Sequence, residues 1–421
     1  MLVEFSVSNY RSIKDEVTLS FEATSDKTLE DYYVINLPEH KLHLLRVGML
    51  YGPNASGKTN ILRALELVRS VVLETPNRDK ALAHTPFLFS DNTKKSPGHF
   101  RVVFIADKTK YIYDIVLTNK YIVSEELTYY PRTQPALVFR RDYDSQSEIP
   151  KIELGKTIRT NQAERDKIKV STLPNRSVLS AISEANIEVP QLEAAYNWFR
   201  LHTMPAIYPK EQGLHHFTTQ LIIDSEKVSE YILDQLRKAD FHISNLRTKE
   251  HILEGLALEI YRQQAPEHVR DIKQPKFDEI LLLHESGEVS GELPFDDESA
   301  GTQRYFSLSG PVFECLRLNT LLYIDEIESS LHPELVKFLL VDFLKRSKEQ
   351  NSQAQLLFTT HNTSLLMEKD ILRRDAVWFT DKKEDGSTEL FSMADFNLKK
   401  ENSYFNAYRT GKLGALPIVE F

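Results

Sequence analysis

The stretch GPNASGKT, Gly52–Thr59, matches the G-x-x-x-x-G-K-[ST] pattern of a phosphate-binding loop. A short apolar run, Leu45–Gly52, precedes it and suits a buried strand. The residues after it, Asn60–Leu73, place apolar side chains at helical spacing. A strand, a glycine loop and a helix in this order let the N–H groups at the start of the helix surround an anion. The sequence therefore predicts a phosphate site in an α/β fold, rather than a chance glycine turn.

The residues of this phosphate loop, Gly52–Thr59, have distinct predicted roles. Lys58 is expected to reach the outer phosphates, and the hydroxyl of Thr59 is placed to ligate Mg²⁺. Gly52 and Gly57 permit the tight turns that the loop requires. The other predicted nucleotide contacts from this segment are Asn54, Ala55, Ser56, Gly57 and Asn60.

A carboxylate for the metal follows a second predicted strand. The apolar run Leu321–Ile324 ends in Asp325 and Glu326. A carboxylate at the end of such a strand can hold Mg²⁺, and the next one can polarise an attacking water. We therefore assign Asp325 to the metal and Glu326 to the role of general base. Without the phosphate loop upstream, the two acids would indicate only a solvated strand end.

A third strand, Gln355–Asn362, is predicted after a helix that begins at Pro333. His361 lies near the carboxyl end of this strand. A histidine at that position can sense the γ-phosphate of a nucleotide, although a lone histidine is more often structural. We expect His361 to act as a switch.

A second possible anion nest lies at Ser299–Gln303, ahead of a predicted helix, Arg304–Leu316. Small residues and a glycine at the start of a helix let the backbone approach a phosphate closely. Serine–glycine turns are common, so the signal depends on the position of this segment just before the strand Leu321–Ile324.

In this order the motifs resemble the ABC-type ATPase head shared by SMC, RecF and OLD-like proteins. The resemblance implies a parallel-sheet RecA-like core, an antiparallel β lobe and a helical insertion. It also implies a dimer or larger homo-oligomer, in which two heads close head-to-tail over ATP and Mg²⁺. A D-loop is implied at Ser330–Pro333 and a signature motif at Ser299–Gln303. Ser299 and Gly301 would then contact the γ-phosphate held by the opposite head.

This sequence departs from the head pattern in several places. Glu298 takes the position of the leucine in the transporter signature, which argues against a membrane-transporter partner. Gln303 is predicted to contact the nucleotide, but it falls one residue later than the transporter glutamine. No glutamine for a Q-loop occurs in Phe87–Phe100, where one is expected. Arg11 matches an arginine that touches the nucleotide in related heads, and a role at the surface stays open for it.

Both ends of the chain narrow the resemblance. The opening VEFSVSNYRSIKDEVTLSFEA is similar to that of compact bacterial AAA-type ATPases, and the closing YFNAYRTGKLGALP, Tyr404–Pro417, is similar to the tail of the RloA (AbiL-type) branch. Relatives of that branch include the ATPase of the PARIS phage-defence system. The resemblance covers roughly residues 1–130 and 290–421, and it implies a role in phage defence.

The expected organisation has three parts. Residues 1–150 would form an N-terminal lobe with the phosphate loop, an antiparallel hairpin near the N-terminus and a meander from Phe100 onward. Residues 151–280 would form a mainly helical insertion, because helical periodicity runs from about 155 to 275, as in Val228–Phe241. Residues 281–421 would complete the head. No heptad pattern persists, so a long coiled coil is not expected.

The composition is typical of a globular protein that works in the cytoplasm. The net charge of −9 makes nucleic-acid coating a poor default interpretation. The run Lys151–Lys169 has six basic and three acidic residues, which is more typical of a solvated helix face than of a binding patch. A single cysteine, Cys315, suits a reducing compartment. We expect no signal peptide and no membrane span.

These observations leave two main hypotheses. The first is an ATP-driven controller of phage defence that gates a separate Toprim-like nuclease, with a phage protein as a possible trigger. A separate nuclease is expected because too little chain follows Ser387 for a Toprim domain. The second is a RecF-like repair or recombination ATPase that acts directly on DNA. A GTP-specific regulator is disfavoured, since no base-reading NKxD element is found.

Overall fold

The computed structural model describes the chain except for residues 185–186, 212, 240, 253–275, 287–288, 397–403 and 417–421. The chain forms two compact units. The first unit comprises Met1–Pro209, Cys315–Ile327 and Leu340–Phe421, and the second comprises Lys210–Glu314 and Glu328–Leu339.

A five-stranded sheet forms the centre of the first unit. Its strand order is β14-β15-β5-β16-β17. The first four of these strands are parallel, and β17 is antiparallel to β16. Their bounds are β5 Val47–Tyr51, β14 Leu321–Ile324, β15 Gln355–Thr359, β16 Val377–Lys382 and β17 Thr388–Ser392. The parallel arrangement brings the carboxyl ends of β5, β14 and β15 to one edge, where ligands bind in open α/β sheets.

The predicted antiparallel lobe is a seven-stranded sheet with the order β10-β9-β8-β7-β6-β1-β2. The hairpin β1–β2 and the meander β6–β8 are confirmed. The bounds are β1 Leu2–Ser8, β2 Val17–Ser20, β6 Gly98–Ala106, β7 Thr109–Leu117, β8 Ile122–Tyr130, β9 Ala136–Asp144 and β10 Ile149–Leu154. A separate pair joins β3 Val34–Leu37 to β4 Leu42–Leu45. The predicted α/β class, with a parallel core and an antiparallel lobe, is therefore confirmed.

The helices follow the apolar periodicity of the sequence in most places. In α2 the predicted apolar residues face the core and are buried, among them Ile61, Leu65 and Val68. The described helices are α1 Glu30–Tyr33, α2 Lys58–Leu73, α3 Asp91–Lys94, α4 Gln162–Ser171, α5 Val178–Glu184, α6 Pro190–Leu201, α7 Leu214–Asp224, α8 Glu226–Lys238, α9 Ala300–Leu318, α10 Pro333–Glu349 and α11 Tyr404–Arg409. None of the helices in the described part of the chain is long and apolar enough to cross a membrane.

The antiparallel sheet packs on α6 through aromatic rings. Trp198 stacks on Phe104 of β6 at 4.3 Å between ring centroids, and Phe199 meets the same ring edge-on at 5.6 Å. Trp198, Phe199 and Phe104 are all fully buried. Offset and edge-on pairs of this kind add about 0.5–1.5 kcal/mol beyond the burial of their area. This aromatic cluster holds α6 in place immediately before residues 203–207, which run along the outer edge of β14.

The second unit contains a small antiparallel sheet that the sequence did not suggest. Its strands are β11 Ile243–Ile252, β12 Lys276–Ser286 and β13 Val289–Pro294, in that order. The expectation of helical periodicity is confirmed for α8 but is wrong for β11. That strand is largely exposed and carries charges on both faces, so it shows neither a helical nor an alternating apolar pattern. The domain boundaries at 151 and 281 stay a prediction.

The basic run Lys151–Lys169 is a solvated element, as its composition favours. Its second half forms α4, which begins at a capping box formed by Asn161 and Glu164. Ile168 is the buried residue of this helix, and Lys167 and Lys169 are exposed.

A buried ion pair holds the antiparallel sheet to α5. Arg141 of β9 donates to Glu125 of β8 at 3.3 Å, and both side chains are fully buried. Glu125 also accepts from the Tyr113 hydroxyl and from the N–H of Val178, at the start of α5. Burial raises the pKa of Glu125, and the neighbouring Arg141 guanidinium opposes that rise. Three donors thus surround the Glu125 carboxylate, and Arg141 also donates to the carbonyls of Leu173, Pro174 and Arg176. These hydrogen bonds compensate for the loss of water around the two charges.

Replacing Arg141 by Met should lower the free energy of unfolding by about 3–5 kcal/mol, because Glu125 then loses its charge partner in a buried site. Urea unfolding followed by circular dichroism measures the loss. The double variant Glu125→Gln/Arg141→Met is the matched control and should recover part of it. An Arg141→Met protein as stable as the unaltered chain would show that the pair does not hold the sheet to α5.

Candidate functional site

The phosphate loop joins β5 to α2 in a conformation that only some residues adopt easily. Gly57 has φ 111°, and Ala55 has φ 62°. The Lys58 side chain folds back across the loop, where its Nζ donates to the carbonyls of Gly52 (2.8 Å) and Pro53 (3.1 Å). Helix geometry leaves the first N–H groups of α2 without intrahelical acceptors. The loop therefore concentrates an ammonium group and backbone donors at one point, as a phosphate site requires.

Hydroxyl groups and a carboxylate meet beside this loop. The Thr59 hydroxyl donates to both carboxylate oxygens of Asp325, at 2.9 and 3.0 Å. Asp325 follows β14 directly and is only 4% exposed. Oxygen atoms of this kind are the ligands that Mg²⁺ prefers. The two residues predicted to hold the metal thus lie in contact, and their chemistry fits Mg²⁺.

Thr359 is a site residue that the sequence interpretation missed. It is the last residue of β15, and its hydroxyl donates to Asp325 at 2.7 Å. The same oxygen accepts from the backbone N–H of Glu326 at 2.7 Å. One side chain therefore orients the carboxylate proposed for the metal and the backbone of the proposed base. The sequence feature that could have identified Thr359 is its position at the end of a predicted strand, two residues before His361.

Glu326 and His361 lie together at the same edge of the sheet. The distance between Glu326 Oε1 and His361 Nε2 is 3.7 Å. The other ring nitrogen of His361 lies 3.4 Å from Lys58 Nζ. Glu326 has a left-handed backbone, with φ 47°, and its side chain is 44% exposed. A carboxylate in this position is open to a water molecule and is held by a neighbour that touches the phosphate loop.

The remaining residues of the loop divide into two kinds. Asn54 and Ala55 are exposed, so their backbone and side chains face solvent. Ser56 is fully buried, and its hydroxyl bonds to Thr380 of β16 at 2.5 Å. The amide of Asn60 donates to the hydroxyl of Ser12 at 2.7 Å. The side chains of Ser56 and Asn60 thus support the loop, and their contact with a nucleotide stays a prediction.

Arg11 lies on a cavity beside α2. It has a left-handed backbone, and its Nε donates to the Tyr10 hydroxyl at 3.1 Å. Its N–H donates to the carbonyl of Thr85. The cavity, of about 400 Å³, is also lined by Arg63 and Tyr208. Within the described residues, no hydrogen bond joins Arg11 to the phosphate loop, so its predicted contact with a nucleotide stays a prediction.

The sequence interpretation also missed a segment that contacts Asp325, residues 203–208. Residues 203–207 extend the parallel sheet at the free edge of β14, where Ile207 pairs with Ile324. The Ile207 carbonyl accepts from the N–H of Asp325 at 2.8 Å. Tyr208 follows, with the Arg63 guanidinium over its ring at 5.6 Å. Burial, and then the nearby Glu66, raises the pKa of Tyr208 to about 12.

The region where a Q-loop was expected, Phe87–Phe100, contains α3 and the start of β6.

In the second unit, the predicted signature forms the start of α9. The helix begins at Ala300, four residues before the predicted Arg304. The earlier start follows from capping, because the Ser299 hydroxyl accepts from the N–H of Thr302 at 3.1 Å. A Cβ on Gly301 would lie 3.2 Å from the carbonyl of Ser330, so glycine gives this D-loop carbonyl room to approach.

Gln303 makes contacts that differ from its predicted role. Its side-chain Nε2 donates to the carbonyls of Phe295 (3.0 Å), Asp296 (3.1 Å) and Glu298 (3.1 Å). The Glu298 side chain is held by His284 at 2.6 Å. The amide of Gln303 therefore stabilises the turn before α9, and its contact with a nucleotide stays a prediction.

Residues 49–368 match the family described as "AAA domain, putative AbiEii toxin, Type IV TA system". The chain belongs to this family. The match spans the phosphate loop, the signature segment, Asp325, Glu326 and His361. None of the curated proteins is similar to the chain at a significant level.

Two of the solved structures that are similar to this chain are SMC heads. "Crystal structure of the SmcHead bound to the C-winged helix domain of ScpA" is 13% identical, covers 95% of this chain and 98% of that chain, and has a TM-score of 0.44. "SMC head domain from Thermotoga maritima" is 14% identical, covers 93% and 98%, and has a TM-score of 0.40.

Replacing Lys58 by Ala should abolish nucleotide binding, because the loop loses the ammonium group that its backbone carbonyls hold in place. Titration with a fluorescent ATP analogue measures the affinity. Lys348→Ala, at an exposed lysine far along α10, is a matched control and should bind as the unaltered chain does. Undiminished binding by Lys58→Ala would contradict the assignment of the phosphate loop.

Proposed function

We propose that this AAA-family chain binds ATP with Mg²⁺ and hydrolyses it to ADP and phosphate, as the controller of a bacterial anti-phage system. The observation that carries the proposal is the single hydrogen-bonded group formed by Thr59, Asp325, Thr359 and the backbone of Glu326. This group joins the phosphate loop to the two acids expected of a hydrolase. The exposed carboxylate of Glu326, near His361, supplies the candidate base.

The residues of the first unit have separable roles in this proposal. Lys58 binds phosphate oxygens once its bonds to the loop carbonyls are exchanged for them. Thr59 and Asp325 would hold the metal through the oxygen atoms that hydrogen-bond to each other in this structure. Bound Mg²⁺ would neutralise charge on the phosphate oxygens. Glu326 accepts the proton of the attacking water, and His361 orients that carboxylate.

Two copies are proposed to close head-to-tail over the nucleotide. Ser299 is exposed at the start of α9, and a helix start favours anions through its free N–H groups. Ser299 and Gly301 are therefore the residues offered to the γ-phosphate bound by the opposite copy. Gln303 would act indirectly, because its amide holds the turn before the helix.

The defence role has separate support. The family description names a putative toxin of a Type IV toxin–antitoxin system and the abortive-infection name AbiEii. The resemblance of the C-terminal stretch to the RloA branch, whose relatives include the PARIS ATPase, points in the same direction. We propose that the chain works in the cytoplasm and gates a separate nuclease-like effector, with a phage protein as the trigger.

The variant Glu326→Gln should bind ATP but turn it over about 100-fold to 10,000-fold more slowly, because the general base is lost. With ATP it should also accumulate as a dimer, measured by light scattering. Adding Ser299→Arg should prevent the dimer and leave binding by a single head intact. Hydrolysis near the unaltered rate would exclude Glu326 as the base, and a dimer unaffected by Ser299→Arg would exclude the head-to-tail arrangement.

The same ATP-trapped variant distinguishes the possible cellular roles. Tagged Glu326→Gln is purified from its native cells, with and without nuclease treatment of the extract. A stoichiometric protein partner that survives nuclease would support the defence controller. Recovery of DNA, together with ATP turnover that duplex DNA stimulates and salt suppresses, would favour the RecF-like alternative. Growth arrest by the chain expressed alone would indicate that it is itself the toxic component.

A further inference from the structure

The phosphate loop is held from behind by the hairpin β16–β17. Thr380 pairs with Leu390 across the hairpin, and Thr388 pairs with Lys382. In this register Thr380 and Thr388 lie diagonally opposite each other on the same face of the hairpin. Both threonines are almost completely buried. The sequence interpretation assigned no role to either of them.

Three hydroxyl and amide groups form a hydrogen-bond relay whose direction can be deduced. The Thr388 hydroxyl donates to the carbonyl of Ser56 at 2.8 Å, because a carbonyl can only accept. Its single proton is then used, so the Ser12 hydroxyl donates to Thr388 at 2.7 Å. Ser12 in turn accepts from the Asn60 amide at 2.7 Å. The relay runs from the first turn of α2 to the middle of the phosphate loop.

A second relay holds the neighbouring part of the loop. The Thr380 hydroxyl lies 3.2 Å from the carbonyl of Tyr51, the last residue of β5, and 2.5 Å from the Ser56 hydroxyl. When Thr380 donates to the carbonyl, Ser56 donates to Thr380. The side chain of Ser56 is thereby fixed through Thr380, while its carbonyl is fixed through Thr388.

We propose that Thr388 is a positioning residue for nucleotide binding, acting through the peptide bond between Ser56 and Gly57. In a trans peptide the C=O and the following N–H point in opposite directions. Because Thr388 holds the Ser56 carbonyl toward the hairpin, the N–H of Gly57 points away from the hairpin. Pointing this way, the N–H of Gly57 is available to donate a hydrogen bond to a bound phosphate.

The spacing of the hairpin and the loop supports this role. A Cβ on Gly57 would collide with the side chain of Thr388, so glycine is required there for contact with the hairpin as well as for its positive φ. Two ion pairs join the turn between β16 and β17 to the segment after Ser12: Lys14 pairs with Asp385 at 2.7 Å, and Lys383 pairs with Asp15 at 3.1 Å. Both pairs are solvated and contribute little to stability, which leaves the buried hydroxyls to fix the geometry.

This inference rests on the proposed nucleotide binding. Thr388→Val keeps the shape of the side chain and removes its hydroxyl. We expect it to weaken the affinity for Mg-ATP about tenfold, the effect of one poorly oriented hydrogen bond to a charged group, with the larger change in KM rather than in kcat. Thr388→Ser retains the hydroxyl and should restore the affinity. Thr128→Val, on strand β8 of the antiparallel sheet, is the matched control and should change neither.

Titration calorimetry with Mg-ATP, together with steady-state kinetics, separates the outcomes. Unchanged affinity in a folded Thr388→Val protein would overturn the inference while leaving nucleotide binding intact. Failure of the unaltered chain to bind Mg-ATP would overturn both. If Thr388→Val does not fold, Ser12→Ala breaks the same relay from the other side of the loop. It should also weaken binding without a matching loss of thermal stability, and normal binding by Ser12→Ala would count against the relay.

Discussion

The buried carboxylate of Asp325 is the constraint around which the site is organised. A buried charge is costly unless donors surround it, and here the donors come from two distant parts of the chain. Thr59 lies at the start of α2, and Thr359 lies at the end of β15. Satisfying this one carboxylate therefore aligns the phosphate loop with two strand ends. The same oxygen atoms suit a metal, so in the proposed function Thr59 would exchange its hydrogen bond to Asp325 for a metal contact.

The residues proposed as metal ligand, general base and switch are all positioned from this carboxylate. Glu326 receives its backbone orientation from Thr359, which is already bound to Asp325. His361 lies two residues beyond Thr359 and contacts both Glu326 and Lys58. A change at the phosphate loop can thus reach Glu326 by two short routes, one through Thr359 and one through His361. Both routes lie at the carboxyl edge of a parallel sheet, where the backbone is fixed by neighbouring strands.

The sequence predicted the elements that are defined by a short run of neighbouring residues. The phosphate loop, the strand before Asp325 and the helix at Pro333 each have a characteristic pattern, and parallel pairing brings their ends together. Thr359, Thr388 and Tyr208 were missed because their importance comes from contacts between residues far apart in sequence. The start of α9 was misplaced since the capping by Ser299 was not considered. The strand β11 was missed because its charged, exposed residues lack any apolar period.

The glycines of the phosphate loop meet two demands at once. The usual explanation is that glycine lets the backbone approach a phosphate. In this chain a Cβ at Gly57 would also strike Thr388, and one at Gly52 would strike Thr380. The hairpin β16–β17 is therefore as much a reason for these glycines as the nucleotide is. Its strand β16 carries Asp381, which accepts from the N–H of Ala415 at 2.7 Å. The predicted phosphate loop is thus shaped by residues from the C-terminal part of the chain, which the phosphate-loop pattern alone does not reveal.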